Sequence, residues 1–408
     1  MSQEKMTQST TQPKKTGEFS NYAWVIFAVA YIASVAAPLN QFKVTPIMSV
    51  LMEEFQLSIS AAGYLMSVFA ITGFILALPA GLIIQRLGIK ISGLIAMGSL
   101  VVGSVIGAFS TTAGMIMFSR VLEGIGMGLI AVVAPAAIAM WFPPEKQGAP
   151  MGLWATWVPV GSLIMYLLAP AMTTAISWQA VWWFSAGFAL LAFVLCAIFM
   201  RMPPVQGGSR QNEASAKEPP SMKKALSNRS IWLLGLTFAC FNLATMSIAT
   251  FYPTFLAAER GYSMANASFT SSLTMMVVIF SAPIAGILLD KVGSRKMFFT
   301  WPMIAVAILM LFPFSITGWL IPAWLILNGV IAGAIPTGTF AAAPEIMKRP
   351  ELAGLGMAVV TLGQNLGMFV GPVLFGALVE SMGWVAAGIW MIPALIIGLI
   401  AGWLVKVR

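Results

Sequence analysis

The chain has 408 residues, 59% of them hydrophobic and only 9% charged, with a formal charge of +9 and a mean hydropathy of +0.90. A soluble domain carries about a quarter charged residues, and a soluble chain of this length could not hide so much apolar surface. The absence of histidine removes the commonest metal ligand and the usual proton shuttle near neutral pH. The two cysteines, Cys196 and Cys240, lie inside apolar runs, so neither a disulfide framework nor a metal cluster is indicated.

Residues 1–22 are polar, mixing Lys5, Lys14 and Lys15 with Glu4 and Glu18, with no cleavable apolar core. They read as a disordered cytoplasmic tail and not as a signal peptide. Twelve apolar runs follow, at about 23–50, 58–84, 90–110, 114–140, 148–173, 178–200, 230–257, 267–289, 296–316, 320–343, 353–379 and 383–405. Most have the roughly 20 residues that a helix needs to cross a bilayer. Links as tight as Thr111-Thr112 and Gly318-Trp319 make the helices they join antiparallel neighbours. The polar stretch 201–229, with Pro203, Pro204, Gly207, Gly208, Pro219 and Pro220, reads as a mobile cytoplasmic linker. It divides a six-helix bundle over 23–200 from a second over 230–408. The expected fold is therefore an all-α membrane protein, with twelve transmembrane helices in two pseudo-symmetric halves.

Charge tests the count. With the N-terminus inside, every Lys and Arg except Lys43, Arg120 and Arg260 falls in the tail, an even-numbered loop or the C-terminus. This is the bias of a multi-pass protein of a bacterial-type plasma or inner membrane, both termini cytoplasmic. The net charge then reports orientation, and no nucleic-acid partner is needed to explain it. Trp178, Trp182, Trp183, Trp319 and Trp384 fall at outer ends, where an interfacial belt is expected.

One motif occurs twice, 205 positions apart: Gly81-Leu-Ile-Ile-Gln85-Arg86-Leu-Gly88-Ile89-Lys90 and Gly286-Ile-Leu-Leu-Asp290-Lys291-Val-Gly293-Ser-Arg295-Lys296. Two related halves, each with a charged hinge, make a transporter architecture. Gly81, Gly124, Gly126, Gly128, Gly286, Gly329 and Gly333 are placed where small residues would let helices approach closely.

Three ionisable side chains fall inside the spans, Lys43, Arg120 and Glu123, and such groups are expensive there and usually functional. Arg120 and Glu123, three apart, share a helix face and can pair. Superposing the halves through Gly124 and Gly329 sets Asn328 opposite Glu123 and Leu325 opposite Arg120. The pair either braces the fourth helix or supplies, in Glu123, a proton-coupling acid. Lys43 has no acid close in sequence. It either snorkels to the outer interface or stands unpaired in a cavity, which points to an anionic ligand.

On these residues the chain resembles the major facilitator superfamily across all twelve spans. Both loop copies match the motif Gly-x-x-x-Asp-Arg/Lys-x-Gly-Arg-Arg/Lys, with Gln85 replacing the acid in the first. Arg120-Val-Leu-Glu123-Gly124-Ile-Gly126 matches Arg-x-x-x-Gly-x-Gly on the fourth helix, and Trp141-Phe-Pro-Pro144-Glu145-Lys146-Gln-Gly148 is a loop of a common type. The resemblance implies a latch at the cytoplasmic face involving Gly81, Arg86, Gly286, Asp290, Lys291 and Arg295; the plainer reading is that these bases fix topology. It also implies that the first helix of each half lines a central cavity. Substrate-contact candidates are then Asn40, Gln41 and Lys43, with Tyr252 and its neighbours Asn242, Thr245, Ser247 and Thr250 in the second half. Further candidates are Trp154 and Trp157 on helix five, Asn328, Thr337 and Thr339 on helix ten, and Gln364 and Asn365 on helix eleven. Those on helices ten and eleven could equally satisfy backbone around Pro336 and Pro372.

The Asn-x-x-Lys stretch with Leu57-Ser58 is similar to the cyanate and organic-anion branch, though Lys43 stands where those proteins show Arg. Nitrate porters rely on arginines in helices two and eight, which this chain lacks. The expectation is a secondary active transporter, not an enzyme, moving a small organic or inorganic anion by alternating access. It would work by proton symport or anion exchange, as a monomer in the lipid bilayer, without cofactor or metal. The alternative, a proton-coupled exporter of drug-like or amphipathic compounds, is suggested by the 28 methionines and 26 phenylalanines.

Overall fold

The computed structural model describes residues 21–76, 79–143, 146–202, 226–348 and 350–407. Most of the expected tail (1–22) and linker (201–229) lies outside the described residues, as do Pro144 and Glu145 of the loop after the fourth span. The first half comprises α1 (Tyr22–Phe42), α2 (Met48–Glu54), α3 (Ile59–Leu76), α4 (Pro79–Ala108), α5 (Ala113–Trp141), α6 (Gly148–Trp154), α7 (Trp157–Ala175) and α8 (Trp178–Phe199). The second comprises α9 (Arg229–Arg260), α10 (Met264–Val292), α11 (Arg295–Leu309), α12 (Leu320–Ala332), α13 (Ala334–Met347), α14 (Pro350–Ile389) and α15 (Ile392–Leu404). Among the described residues, ten helical segments are long and apolar enough to span a membrane, and the shorter α11 and α15 complete a twelve-span fold that is helical throughout those residues.

The departures from twelve simple rods have local causes. The first span breaks after Lys43 into a 3-10 turn, Thr45–Ile47, because Pro46 disfavours helix at the residue before it. The fifth span breaks between α6 and α7, with Pro159 three residues into the second piece. The tenth breaks at Gly333, just before Pro336. Two long helices bend sharply where glycine takes positive φ, Gly88 (φ 77°) in α4 and Gly383 (φ 78°) in α14. Gly293, the counterpart of Gly88 in the second motif copy, also has positive φ (71°). The motif therefore keeps glycine where the chain turns left-handed, which a side chain resists.

Helix contacts run over small residues, as expected for packing in lipid. On α5, Gly124 lies against the Phe69 carbonyl and Gly126 against Ala96 and Leu100; Gly329 and Gly333 lie against Thr274 and Ser281. Gly286 departs from the expectation: a Cβ there would meet only Thr337, at 3.9 Å, an ordinary contact. The tightest ladder was not anticipated in full. Gly363, Gly367 and Gly371 on α14 press against the backbone carbonyls of Gly235, Ala239 and Leu243 on α9. The tryptophan belt also needs correction. Trp183 and Trp319 are exposed, but Trp178 and Trp182 are buried, packed edge to face at 5.3 Å.

The halves meet at one end. Among the described residues, several hydrogen bonds join them, three of them as follows. The Ser60 N–H donates to Glu380 Oε1 (2.7 Å), the Tyr166 hydroxyl to the Ala249 carbonyl (2.8 Å), and the Ser268 hydroxyl to the Tyr166 carbonyl. Gly63 and Gly376 bring α3 and α14 into backbone contact there, and the 3-10 turn packs on α7, α9 and α10. All of this lies at the end opposite the two motif loops. α1 packs on α5, α7 and α8 of its own half. On it Trp24, Val25 and Ala28 are exposed and Tyr31 and Ile32 half-buried, while burial is complete from Ala33 to Met48. The hydrogen bonds between the halves therefore lie toward the end away from the motif loops, where the structure is closed.

Candidate functional site

At the shut end of the first half lies a dry cluster of charge. Lys43, Arg120 and Glu123 are each 0% exposed. Glu123 Oε1 accepts from Lys43 Nζ at 2.6 Å, and Oε2 accepts from Arg120 at 2.6 Å, so one carboxylate faces two cations. The expectation that Lys43 is unpaired is overturned: its acid partner is 80 positions away in sequence. Lys43 Nζ also donates to Asn40 Oδ1 and Ser104 Oγ, both at 3.0 Å, which uses its three protons. The Trp182 ring covers it at 4.7 Å, a desolvated cation–π contact. Lys43 is thus neither a snorkelling lysine nor a solvated one.

Arg120 is spent on backbone. It donates to the carbonyls of Leu65 (3.0 Å), Asn40 (2.6 Å) and Gln41 (2.8 Å) besides Glu123, and stacks over Phe69 at 4.6 Å. The Asn40 and Gln41 carbonyls lie in the last turn of α1, where the helix leaves such groups without intrahelical partners. The guanidinium therefore staples α1 and α3 to α5. With Glu123 ionised and Lys43 and Arg120 both protonated, the cluster carries a net charge of +1 inside the bundle.

The pocket for this cluster comes from the third span, where no site residue was expected. Gly103 gives room for the Glu123 side chain and Gly107 for the Trp182 indole, and Ser104 between them supplies a hydroxyl to Lys43. The signal available in the sequence was two small residues four apart flanking a serine. Ser104 lies 2.6 Å from Asn40 Oδ1 and 2.9 Å from Glu123 Oε1 and can give its single proton to only one of them.

The other candidates are dispersed. Gln41 is buried, and its side-chain carbonyl has no hydrogen-bond partner among the described residues. Trp157 is buried against Trp154, ring centroids 5.6 Å apart and 13° from parallel. Tyr252 sits in an aromatic nest with Phe255, Phe314 and Trp324, and its hydroxyl, expected to line the path, donates to the Pro313 carbonyl at 3.0 Å. Asn328 is buried, with its side-chain oxygen unpartnered among the described residues. Gln364 and Asn365 are half-buried; Asn365 bonds to the Thr361 carbonyl and rests on Gly73 across the seam between the halves.

Of the motif-loop residues, Arg86, Asp290 and Lys291 are exposed. Asp290 makes no ion pair among the described residues. Arg295 pairs with Glu345 of α13 at 3.0 Å and donates to the Ala341 carbonyl. Lys296 holds the carbonyls of Trp403 and Val405 at the end of α15. These bonds stay within the second half and do not bridge to the first.

A family model described as the Major Facilitator Superfamily matches residues 30–326 and again 255–408. The chain is similar to the hexuronate transporter of Bacillus subtilis (strain 168), 22% identical over 385 residues that cover 90% of each protein. It is similar to the probable nitrate transporter NarT of Staphylococcus haemolyticus, 23% identical over 253 residues, covering 62% of this chain and 63% of that one. In fold it is similar to a crystal structure of a bacterial homologue of the human lysosomal transporter Spinster, in an inward-facing, unoccupied conformation. That match has a TM-score of 0.78 at 16% identity and covers 95% and 96% of the two chains.

Proposed function

The chain belongs to the Major Facilitator Superfamily, and from that premise we propose that it moves a small anion by alternating access, coupled to protons or to anion exchange. The observation that carries this reading is the enclosed cluster with two cations and one carboxylate. A surplus positive charge in a dry interior favours an approaching anion: at roughly 7 Å and an effective dielectric of about 20, the attraction is about 2 kcal/mol. The two relatives named above are described as transporters of anions, which supports the same class.

The cluster also suggests how a proton would couple. Protonating Glu123 removes the counter-charge of both cations and raises the local charge from +1 to +2, an expensive state in a dry interior. An arriving monoanion restores +1, so the proton strengthens anion binding and the anion strengthens proton binding. Arg120, tied to three carbonyls, is assigned to bracing. With the basic loops cytoplasmic, the closed end faces outward, and Glu380 on the α3 N-terminus helps to close the outer side.

Proteoliposomes loaded with a labelled carboxylate, sulfonate or nitrate test this. An imposed proton gradient is expected to drive accumulation in the wild type. Glu123→Gln should retain passive exchange and lose the gradient response. Accumulation by Glu123→Gln that remains concentrative and proton-driven would overturn the coupling assignment. Binding of cationic drugs with indifference to every anion would hand the function to the exporter alternative.

A further inference from the structure

The half of α10 nearer its motif loop stands away from its neighbours. Farther from that loop α10 is held to α12, where Thr274 Oγ1 donates to the Leu325 carbonyl at 3.1 Å and Ser281 Oγ to the Gly329 carbonyl at 2.8 Å. A Cβ added at Gly329 would lie 2.8 Å from the Thr274 carbonyl, whereas one at Gly286 would meet nothing nearer than Thr337, at 3.9 Å. Between these two levels the tenth span breaks at Gly333, and α13 diverges from α10. The divergence leaves a groove of about 320 Å³, lined by Val277, Ile284 and Leu288 of α10, Phe298 of α11, and Val330 and Ala334 on either side of the break. Ile284, Leu288 and Val330 are exposed, so the groove is open along its length. We propose that it seats one acyl chain of an anionic phospholipid, with the headgroup phosphate on Lys291. Such a site is independent of what the protein transports.

The walls restrict the occupant. One polar side chain reaches the groove, Ser281, and its hydroxyl is committed to the Gly329 carbonyl. A water molecule needs about two to four polar partners, so water is a poor filling. Hydrocarbon must fill the groove, or its lining forfeits dispersion contacts. Lipid tails are as apolar as the leucines they would touch, so burial alone does not select one lipid from the bulk. Selection has to come from the headgroup.

Lys291 is placed to make it. Ile284, Leu288 and Lys291 are four and then three positions apart, a spacing that shares one helix face. Lys291 therefore continues the lining stripe one turn beyond Leu288, at the mouth of the groove. It is exposed and makes no ion pair among the described residues. The neighbouring bases are committed elsewhere, Arg295 to Glu345 and Lys296 to the carbonyls of Trp403 and Val405. Asp290 stands about 100° round the helix from Lys291, off the stripe. An uncompensated cation at the end of an apolar groove matches a phosphate joined to a hydrocarbon chain. The chain would pass Ala334, the first residue after the break, and hold α10 and α13 apart there.

Native mass spectrometry of the purified full chain in detergent tests the site, with equimolar dioleoyl phosphatidylglycerol, phosphatidylethanolamine and phosphatidylcholine as probes. Phosphatidylglycerol is expected to be retained above the other two. Lys291→Gln should weaken its retention by about fivefold, the scale of one basic residue against an anionic surface. Leu288→Trp, which fills the groove with an indole, should abolish the selectivity; if it does not fold, the surface variant Lys291→Gln carries the comparison. Lys90→Gln, at an exposed base of the first motif loop, should retain lipid as wild type does. Equal loss in Lys90→Gln and Lys291→Gln would report attraction to the whole basic surface and overturn the site, as would wild-type retention in Leu288→Trp. Phosphatidylcholine or phosphatidylethanolamine retained as well as phosphatidylglycerol overturns the headgroup assignment and the proposal with it. A dimer that Leu288→Trp dissociates would give the groove to a second copy of the chain.

Discussion

Replacing Glu123 by Gln is the sharpest probe of the buried cluster. Each carboxylate oxygen faces a cation that can only donate, Lys43 on one side and Arg120 on the other, both at 2.6 Å. Glutamine keeps one acceptor and turns an NH2 group toward the other donor, so one contact becomes donor against donor. The two cations, on opposite oxygens of one carboxylate and so roughly 6 Å apart, then repel by about 3 kcal/mol at an effective dielectric of about 20. Breaking a buried ion pair by removing one partner is generally destabilising by about 3–5 kcal/mol, in agreement. The assay is the fraction of monodisperse protein after heating, by fluorescence-detected size exclusion, for Glu123→Gln, Lys43→Met and the double variant. Glu123→Gln should be the least stable. The double variant should regain half or more of the loss, because it removes the second charge together with the first and makes the two changes non-additive. Wild-type stability in Glu123→Gln, or strict additivity, would refute the cluster as an electrostatic unit.

Other expectations follow from single contacts. Glu380→Ala removes a carboxylate from the N-terminus of α3 and should shift the balance about two- to fivefold toward the outward-open state. Faster thiol labelling of a cysteine placed at Thr254, in a background lacking Cys196 and Cys240, would report it; unchanged labelling counts against the contact. Gly367→Val drives a side chain into the Ala239 carbonyl and should cost about 3 kcal/mol or more, seen as lost monodisperse yield, whereas Gly187→Val, with open space around it, should behave as wild type. Gly88→Ala and Gly293→Ala each force a Cβ into a left-handed backbone and should destabilise by about 1–2 kcal/mol in the same heating assay. Melting points equal to wild type would show that these turns relax.

Much of the fold could be read before any coordinates. Apolar run length and the placement of lysine and arginine gave twelve spans, and the repeated motif gave the two halves. The rest depended on distance along the chain. Lys43 and Glu123 are 80 positions apart, so no local rule could pair them, and the inference of a free cation followed from looking only at neighbours. Arg120 and Glu123, on one helix, were legible because helical spacing joins them. Ser104, Gly103 and Gly107 were passed over since small residues in an apolar run usually mean packing, and here they do that while also making room for Glu123 and Trp182. Tyr252 was misjudged for the opposite reason: its hydroxyl suggested a path, but its carbonyl partner comes from a turn 61 residues away.

The same cluster has a consequence for how the protein is made. Lys43 leaves the ribosome 80 residues ahead of Glu123, which at about 5–20 residues per second is a delay of roughly 4–16 s. For that interval the first span holds a cation without its acid; a lone lysine opposes insertion by about 2.5–3.5 kcal/mol at a helix centre and by less toward the end of a span, where Lys43 lies. The first helix therefore has reason to stay near the water-accessible translocon until the fourth arrives with both Arg120 and Glu123. Integration of this half is then a single event completed by the fourth span, and chains truncated after the third should leave the first span extractable from the membrane by alkaline carbonate.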